Sequence, residues 1–340
     1  MTTAPLVLSN PPSPCTPPFW ARGGHLQTIL GHLLPSRCPR LDSGGDARAH
    51  RIPVSGGDEL VAFWTEGSSD VVVYLFHGLG GDVNSDYMRS AARVAQVRSH
   101  SVLAVNHRGC GAGKGLAAGP YHSGSADDVA RVLAYGRALR PRKRHIAIGF
   151  SLSGNALLLL LGTRMAPAPD AAIAVNPPID LERSSRLISS GLNRLYDLRF
   201  VHLCRRAIRE RFEAGLLERP YVIPRFGRLW DVDEIYTADA GGFENARDYY
   251  AKCSTKGLLA SIEQPTVVLT AADDPFVDPR SFHEAARSPA VHLHVEASGG
   301  HVGYLARGAG VMGARRWLDE ALGFYLDALV EVSRASHIQC

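Results

Sequence analysis

This 340-residue chain has no apolar stretch of bilayer length: its longest uninterrupted apolar runs, such as 156–161, fall far short of the roughly 20 residues a spanning helix needs. An integral membrane segment is therefore not expected. Paired-cysteine motifs are also missing, because Cys15, Cys38, Cys110, Cys204, Cys253 and Cys340 are widely separated and form no C-x-x-C. Zinc ribbons and thioredoxin-type redox motifs are excluded, and free thiols in a reducing compartment fit best. The first 19 residues are rich in proline and carry neither a basic start nor a signal-length apolar stretch. Thr2 follows Met1 and Cys340 is the last residue, so myristoylation and prenylation patterns both fail and a cytoplasmic protein is expected. Charge of one sign is scarce: 37 Lys+Arg against 33 Asp+Glu leaves +4, with the arginines scattered rather than striped. Nucleic-acid binding gains nothing from that balance. No internal repeat is visible.

What remains is an ordinary globular composition, 45% hydrophobic and 21% charged, with mean hydropathy −0.06. The length suits one large domain or two small ones. Pro11-Pro12, Pro14 and Pro17-Pro18 cannot donate helix or sheet hydrogen bonds, so 1–18 reads as an extended arm, with order beginning near Phe19. Short β-rich runs then recur at 71–76, 102–106, 145–150, 171–176, 266–271 and 291–295. Several are almost continuously apolar, as in strands buried on both faces of a mainly parallel sheet. Helices are expected between them at 87–98, 127–139, 155–164 and 315–332. Residues 180–256 break this rhythm and read as an inserted helical cap between two parts of one core, 19–179 and 257–340.

The sharpest chemical signal is Gly149-Phe150-Ser151-Leu152-Ser153-Gly154, placed between a strand and a helix. Small residues two before and two after a serine permit a tight turn that exposes its hydroxyl at the carboxyl end of the sheet. Ser153 stands where glycine is usual. A serine hydroxyl needs a base to take its proton, and the base needs a third group to fix its tautomer. The strand at 266–271 runs into Asp273-Asp274-Pro275-Phe276, and that at 291–295 runs toward Gly299-Gly300-His301. Ser, acid and His in that chain order is the α/β-hydrolase order. Ser151 is thus the candidate nucleophile, His301 the base and Asp274 the preferred acid, with Asp273 the alternative. Oxyanion donors are expected from the Leu79 and Leu152 N–H groups, the first in His77-Gly78-Leu79-Gly80-Gly81 after the strand 71–76. His77 would shape that loop rather than react.

These residues, with Pro18-Phe19-Trp20, Gly24-His25-Leu26-Gln27-Thr28-Ile29, Asn106-His107-Arg108-Gly109-Cys110 and Gly299-Gly300-His301-Val302-Gly303, resemble the YheT-like branch of the α/β-hydrolase superfamily over nearly the whole chain. The resemblance implies an α/β-hydrolase fold with a mostly parallel eight-strand-type sheet, helices on both faces and an inserted helical cap. It also implies a serine hydrolase that cleaves small acyl esters and needs no cofactor or metal. Related enzymes act on short to medium acyl esters or glycerolipids, and some pass the acyl group to an alcohol. Acyl transfer and non-catalytic ligand binding therefore stand as alternatives to hydrolysis, and oligomeric state is left open.

Three further patterns carry weaker meanings. His122 and Asp127 have the spacing of an H-x-x-x-x-D acyltransferase motif, yet Ser125 with the aspartates also reads as a helix start. The run 109–115 lacks the first glycine and final Ser or Thr of a phosphate loop. His292, His294 and Glu296 alternate along one strand, which points to a less buried strand face more than to a metal site.

Overall fold

The computed structural model describes Leu6, Leu8 and residues 11–43 and 47–338; Cys340 and the start of the arm lie outside the described residues. An eight-stranded sheet runs in the order β1-β2-β4-β3-β5-β6-β7-β8. Its strands are β1 (Arg48–Pro53), β2 (Glu59–Thr65), β3 (Val71–Phe76), β4 (Ser101–Asn106), β5 (Arg144–Phe150), β6 (Ala171–Val175), β7 (Thr266–Ala271) and β8 (Val291–Glu296). From β4 across to β8 the neighbours are parallel, whereas β1 and β2 are antiparallel additions at one edge.

Period-two geometry explains why β3 is apolar at every position and why β5 has no charged or polar side chain from Ile146 to Phe150. Val71, Val73 and Leu75 pack on α2 (Asp86–Gln96) and on α11 (Trp317–Ile338). Val72, Tyr74 and Phe76 face α3 (Ala126–Leu139) and α4 (Leu152–Gly162) on the other side. Each of these six side chains is fully buried, and burying one such side chain contributes about 1.5–3 kcal/mol. The apolar run inside α4 is buried for the same reason: the helix lies under α3 and against the sheet, enclosed all round.

Several sequence expectations are corrected here. Strands β1 and β2 were not anticipated, nor was α1 (Gly24–Leu33). β1 is an edge strand that buries little besides Ile52, so its apolar signal is weak. α4 begins at Leu152, directly after Ser151, and Arg315 and Arg316 belong to the hairpin of β9 (Leu305–Arg307) with β10 (Ala314–Arg316). Residues 11–18 of the arm carry no helix or strand, but order does not wait for Phe19. Trp317 Nε1 donates to Ser13 O at 2.5 Å, Arg307 N to Thr16 O at 2.8 Å, and Cys15 is buried.

Between β6 and β7 the chain is helical: α5 (Leu181–Ile188), α6 (Arg194–Glu213), α7 (Leu229–Val232), α8 (Ala238–Gly241) and α9 (Ala246–Cys253). A small apolar cluster of Val201, Ile208, Ile223, Val232 and Tyr236 joins α6 to α7 and the turn that follows it. Buried Arg211 of α6 fastens this layer to the sheet's loops by donating to Arg108 O at 2.8 Å and Ala117 O at 3.3 Å. A short α10 (Arg280–Glu284) follows β7.

Candidate active site

Ser151 sits in the turn from β5 to α4 with φ 52° and ψ −118°, a backbone region costing a non-glycine residue about 1–3 kcal/mol. Close packing holds it there. The Ser151 N–H donates to Val175 O at 2.8 Å, and a Cβ on Gly149 would come within 2.6 Å of Ser153 O. The turn therefore requires glycine at 149, while 153 takes serine for a different reason. Ser153 Oγ donates to His77 O at 2.5 Å and lies 2.7 Å from both His107 Nε2 and Tyr121 OH. Its hydroxyl ties the turn to the loop after β3.

At the ends of β7 and β8 the chain brings an imidazole over this serine. His301 Nε2 lies 2.8 Å from Ser151 Oγ, and His301 Nδ1 lies 2.8 Å from Asp274 Oδ2. A carboxylate can only accept, so Nδ1 carries the proton and Nε2 is left with a lone pair facing the hydroxyl. The Asp274 side chain is fully buried, with each oxygen accepting two hydrogen bonds. Oδ1 takes the Phe276 and Val277 N–H groups at 2.8 and 3.1 Å, and Oδ2 takes His301 and Asn176 Nδ2, the latter at 2.7 Å. Asp273 points elsewhere: its Oδ1 accepts from the Gly299 and Gly300 N–H groups, both at 2.8 Å, and so shapes the loop that presents His301.

The loop after β3 supplies backbone donors beside the serine. Gly78 N donates to Tyr87 OH at 3.0 Å and Gly81 N to Gly78 O at 3.1 Å. The Leu79 N–H has no acceptor among the described residues. Leu152 opens α4, where an amide has no intrahelical acceptor. A Cβ on Gly78 would stand 3.0 Å from Ser151 Cβ, crowding the nucleophile. His77 is fully buried between Gly78 O, 2.8 Å from its Nδ1, and the His107 N–H, 3.2 Å from its Nε2. Burial pushes its pKa down to about 4 and drives that of His107 well below the usual range. Both are neutral scaffolding groups near pH 7.

A cavity of about 540 Å³ opens from Ser151, His301 and Leu79 into the space beneath α5–α7. Ile188, Phe200, Leu203, Ile208 and Val232 give it apolar walls. Its size is that of a small-molecule site, and its walls suit a hydrocarbon chain.

His122 and Asp127 are not brought together. His122 Nδ1 accepts from Gly124 N at 3.0 Å and its ring packs on Phe243 and Tyr249, while Asp127 turns outward to Arg131. Ser125 occupies the N-cap position of α3, but its hydroxyl accepts from His122 N rather than capping the helix. Residues 109–115 form a loop beside Arg108, which is buried between Asp58 and Asp128. His294 is held by Glu296, at 3.2 Å, and by Tyr325.

Sequence reasoning missed two residues of the site. Asn176 leaves β6 with φ 48° and reaches both Asp274 and Gly300 O, the latter at 3.2 Å. The only local cue is an asparagine, tolerant of positive φ, between an apolar strand and two prolines. Thr28 of α1 accepts the His301 N–H at 2.9 Å and donates to Gly24 O at 2.7 Å. Beside it, buried Gln27 brackets Leu305, accepting from its N–H at 2.7 Å and donating to its carbonyl at 3.1 Å.

The sequence profile of the α/β-hydrolase fold family matches residues 71–307, and the chain belongs to that family. Within it, the chain is similar to proteins whose names give them as esterases and lipases. It is 28% identical over 316 residues to an Escherichia coli (strain K12) protein, YheT, whose name gives it as an esterase, an alignment spanning 90% of this chain and 91% of that one. A monoacylglycerol lipase of Saccharomyces cerevisiae is 26% identical over 75% of this chain and 58% of its own length. Among solved structures, the Pyrococcus furiosus esterase Pf2001 superposes with a TM-score of 0.54 at 17% identity, covering 83% of this chain and 92% of its own. That likeness bears on the fold alone.

Proposed function

We propose that this protein is a serine carboxylesterase acting on short- to medium-chain acyl esters, with Ser151 as nucleophile, His301 as base and Asp274 as the acid that orients it. The supporting observation is the unbroken line Ser151–His301–Asp274, with both links at 2.8 Å and the serine in a strained turn. As Ser151 Oγ attacks the ester carbonyl, His301 Nε2 takes its proton and Asp274 stabilises the imidazolium. The Leu79 and Leu152 N–H groups receive the negative oxygen, and His301 then protonates the leaving alcohol. Water, activated by the same histidine, releases the acid and restores the serine. Residues 180–256 act as a cap whose apolar underside holds the acyl chain.

Intact-protein mass after exposure to a fluorophosphonate, followed by turnover of p-nitrophenyl esters from acetate to decanoate with and without ethanol, tests this reading. One adduct, lost in Ser151→Ala along with turnover, is the expected result. Ethyl ester formation in ethanol would assign acyl transfer to the same serine. Esterase activity retained by Ser151→Ala would overturn the assignment.

A further inference from the structure

We propose that the face formed by α1, residues 191–199 and Phe226 docks this protein on a lipid surface carrying anionic headgroups, with the mouth of the cavity turned toward the lipid. This goes beyond the ester-cleavage reading and is tested without turnover.

Folded chains rarely leave large apolar side chains together in water, yet six stand exposed here. Leu26, Ile29 and Leu33 of α1 are 44, 41 and 66% exposed, Leu192 and Leu195 are 73 and 71%, and Phe226 is 74%. At 3.6 residues per turn, Leu26, Ile29 and Leu33 fall within about 60° of one another around α1. Two contacts join α1 to α6 in the same order along both helices. His25 stacks on Tyr196, and His32 Nε2 lies 3.2 Å from Arg199 Nη2. These contacts set α1 alongside the start of α6, the end of that helix next to the exposed Leu192 and Leu195. Arg194 extends the face by donating to Phe226 O at 2.6 Å. The patch is continuous with the cavity, because Ile29, His32, Leu33, Tyr196 and Arg199 also line it.

Charge selects the occupant. α1 contains no carboxylate, and the single one within 191–199, Asp197, is wholly buried against Ser189, Arg194 and the Leu229 N–H. Arg22 and Arg199 are exposed and belong to no ion pair among the described residues. A second copy meeting this face would cover those arginines at a desolvation cost, because Asp86, which lines the cavity beside His32, is already paired with Arg89. An anionic lipid surface answers both halves of the pattern: the leucines enter the headgroup and acyl boundary, and the arginines meet the phosphates. An ester held in that surface could then slide into the cavity without crossing water.

The test is vesicle flotation with the full chain carrying Ser151→Ala, so that no lipid is consumed. Vesicles of phosphatidylcholine alone are compared with vesicles containing phosphatidylglycerol. Binding to the anionic vesicles, weakened by salt and reduced about tenfold or more by Leu192→Glu with Leu195→Glu, is expected. Neither leucine lines the cavity. No binding to anionic vesicles, binding indifferent to the two substitutions, or a solution dimer that they abolish would overturn the proposal. Because flotation reads binding alone, its failure leaves ester cleavage standing, and flotation of the Ser151→Ala chain beside a parent chain that takes no fluorophosphonate overturns only the esterase.

Discussion

The His301 backbone N–H donates to the Thr28 hydroxyl at 2.9 Å, so a helix near the start of the chain holds the loop that carries the proposed base. Thr28 touches no reacting atom and acts as a positioning residue. Replacing it with valine keeps the shape but leaves the His301 N–H without its acceptor, a loss of about 1–3 kcal/mol. The expected result for Thr28→Val is a fall in kcat of about tenfold with little change in KM, while Thr28→Ser restores most of it. Steady-state kinetics on a soluble p-nitrophenyl ester, with thermal unfolding as the control, separates this from general destabilisation. An unaltered kcat would show that the loop needs no such support.

The two adjacent aspartates have separable duties. Asp274 meets the imidazole, whereas Asp273 ties down Gly299 and Gly300. Asp274→Asn should lower kcat by about 10⁴, as loss of the orienting carboxylate does in other triads. Asp273→Asn keeps an acceptor oxygen for the loop amides and should cost far less. If Asp273→Asn proves the more damaging substitution, the roles must be exchanged.

How α1 seats on the His301 loop gives a prediction for glycine. A Cβ on Gly31 would stand 2.5 Å from Gly303 Cα, and backbone cannot swing away as a side chain can. A Cβ on Gly257 would meet nothing within 4 Å. Gly31→Ala should therefore destabilise by about 1–3 kcal/mol through overpacking and lower activity with it. Gly257→Ala should be close to neutral. Urea midpoints of the two variants make the comparison, and equal midpoints would mean that α1 moves away from the loop freely.

What could be read from the sequence follows from where each signal lies. β3, β5 and β7 announce themselves because burial on both faces makes β3 wholly apolar and β5 and β7 mostly so. β1 does not, since most of its residues face solvent. α1 begins at Gly23-Gly24 with no capping side chain, so its start has no local mark. Ser151 and His301 were legible because a sharp turn and a glycine-rich loop leave compositional traces. The choice between Asp273 and Asp274 was not, because both follow the same strand and both serve the same loop. Thr28 escaped for a different reason: its partner lies 273 residues away, and nothing local to a threonine inside a helix records so distant a contact.

Stability should fall on mild acidification because of the neutral imidazoles behind the nucleophile. Burial lowers His77 to about 4, against 6.5 for the free group. A histidine whose pKa is depressed on folding favours the folded state in full above the unfolded value, and that stability is lost as pH falls from about 6.5 toward 4. For His77 alone the full span is on the order of 3 kcal/mol, and burial lowers His122 and His145 in the same direction. Asp233 works the other way, since burial raises it to about 6 and its protonation favours the folded state in the same window. Burial also raises Asp128 and Asp319 and lowers His107, and the depressed histidines outnumber the raised carboxyls, so the urea midpoint should drop between pH 7 and pH 5. In a His77→Gln variant the drop should be shallower, because the amide carries no proton to gain on unfolding. A midpoint flat across that range in the parent protein would mean that these imidazoles reach solvent and charge without unfolding.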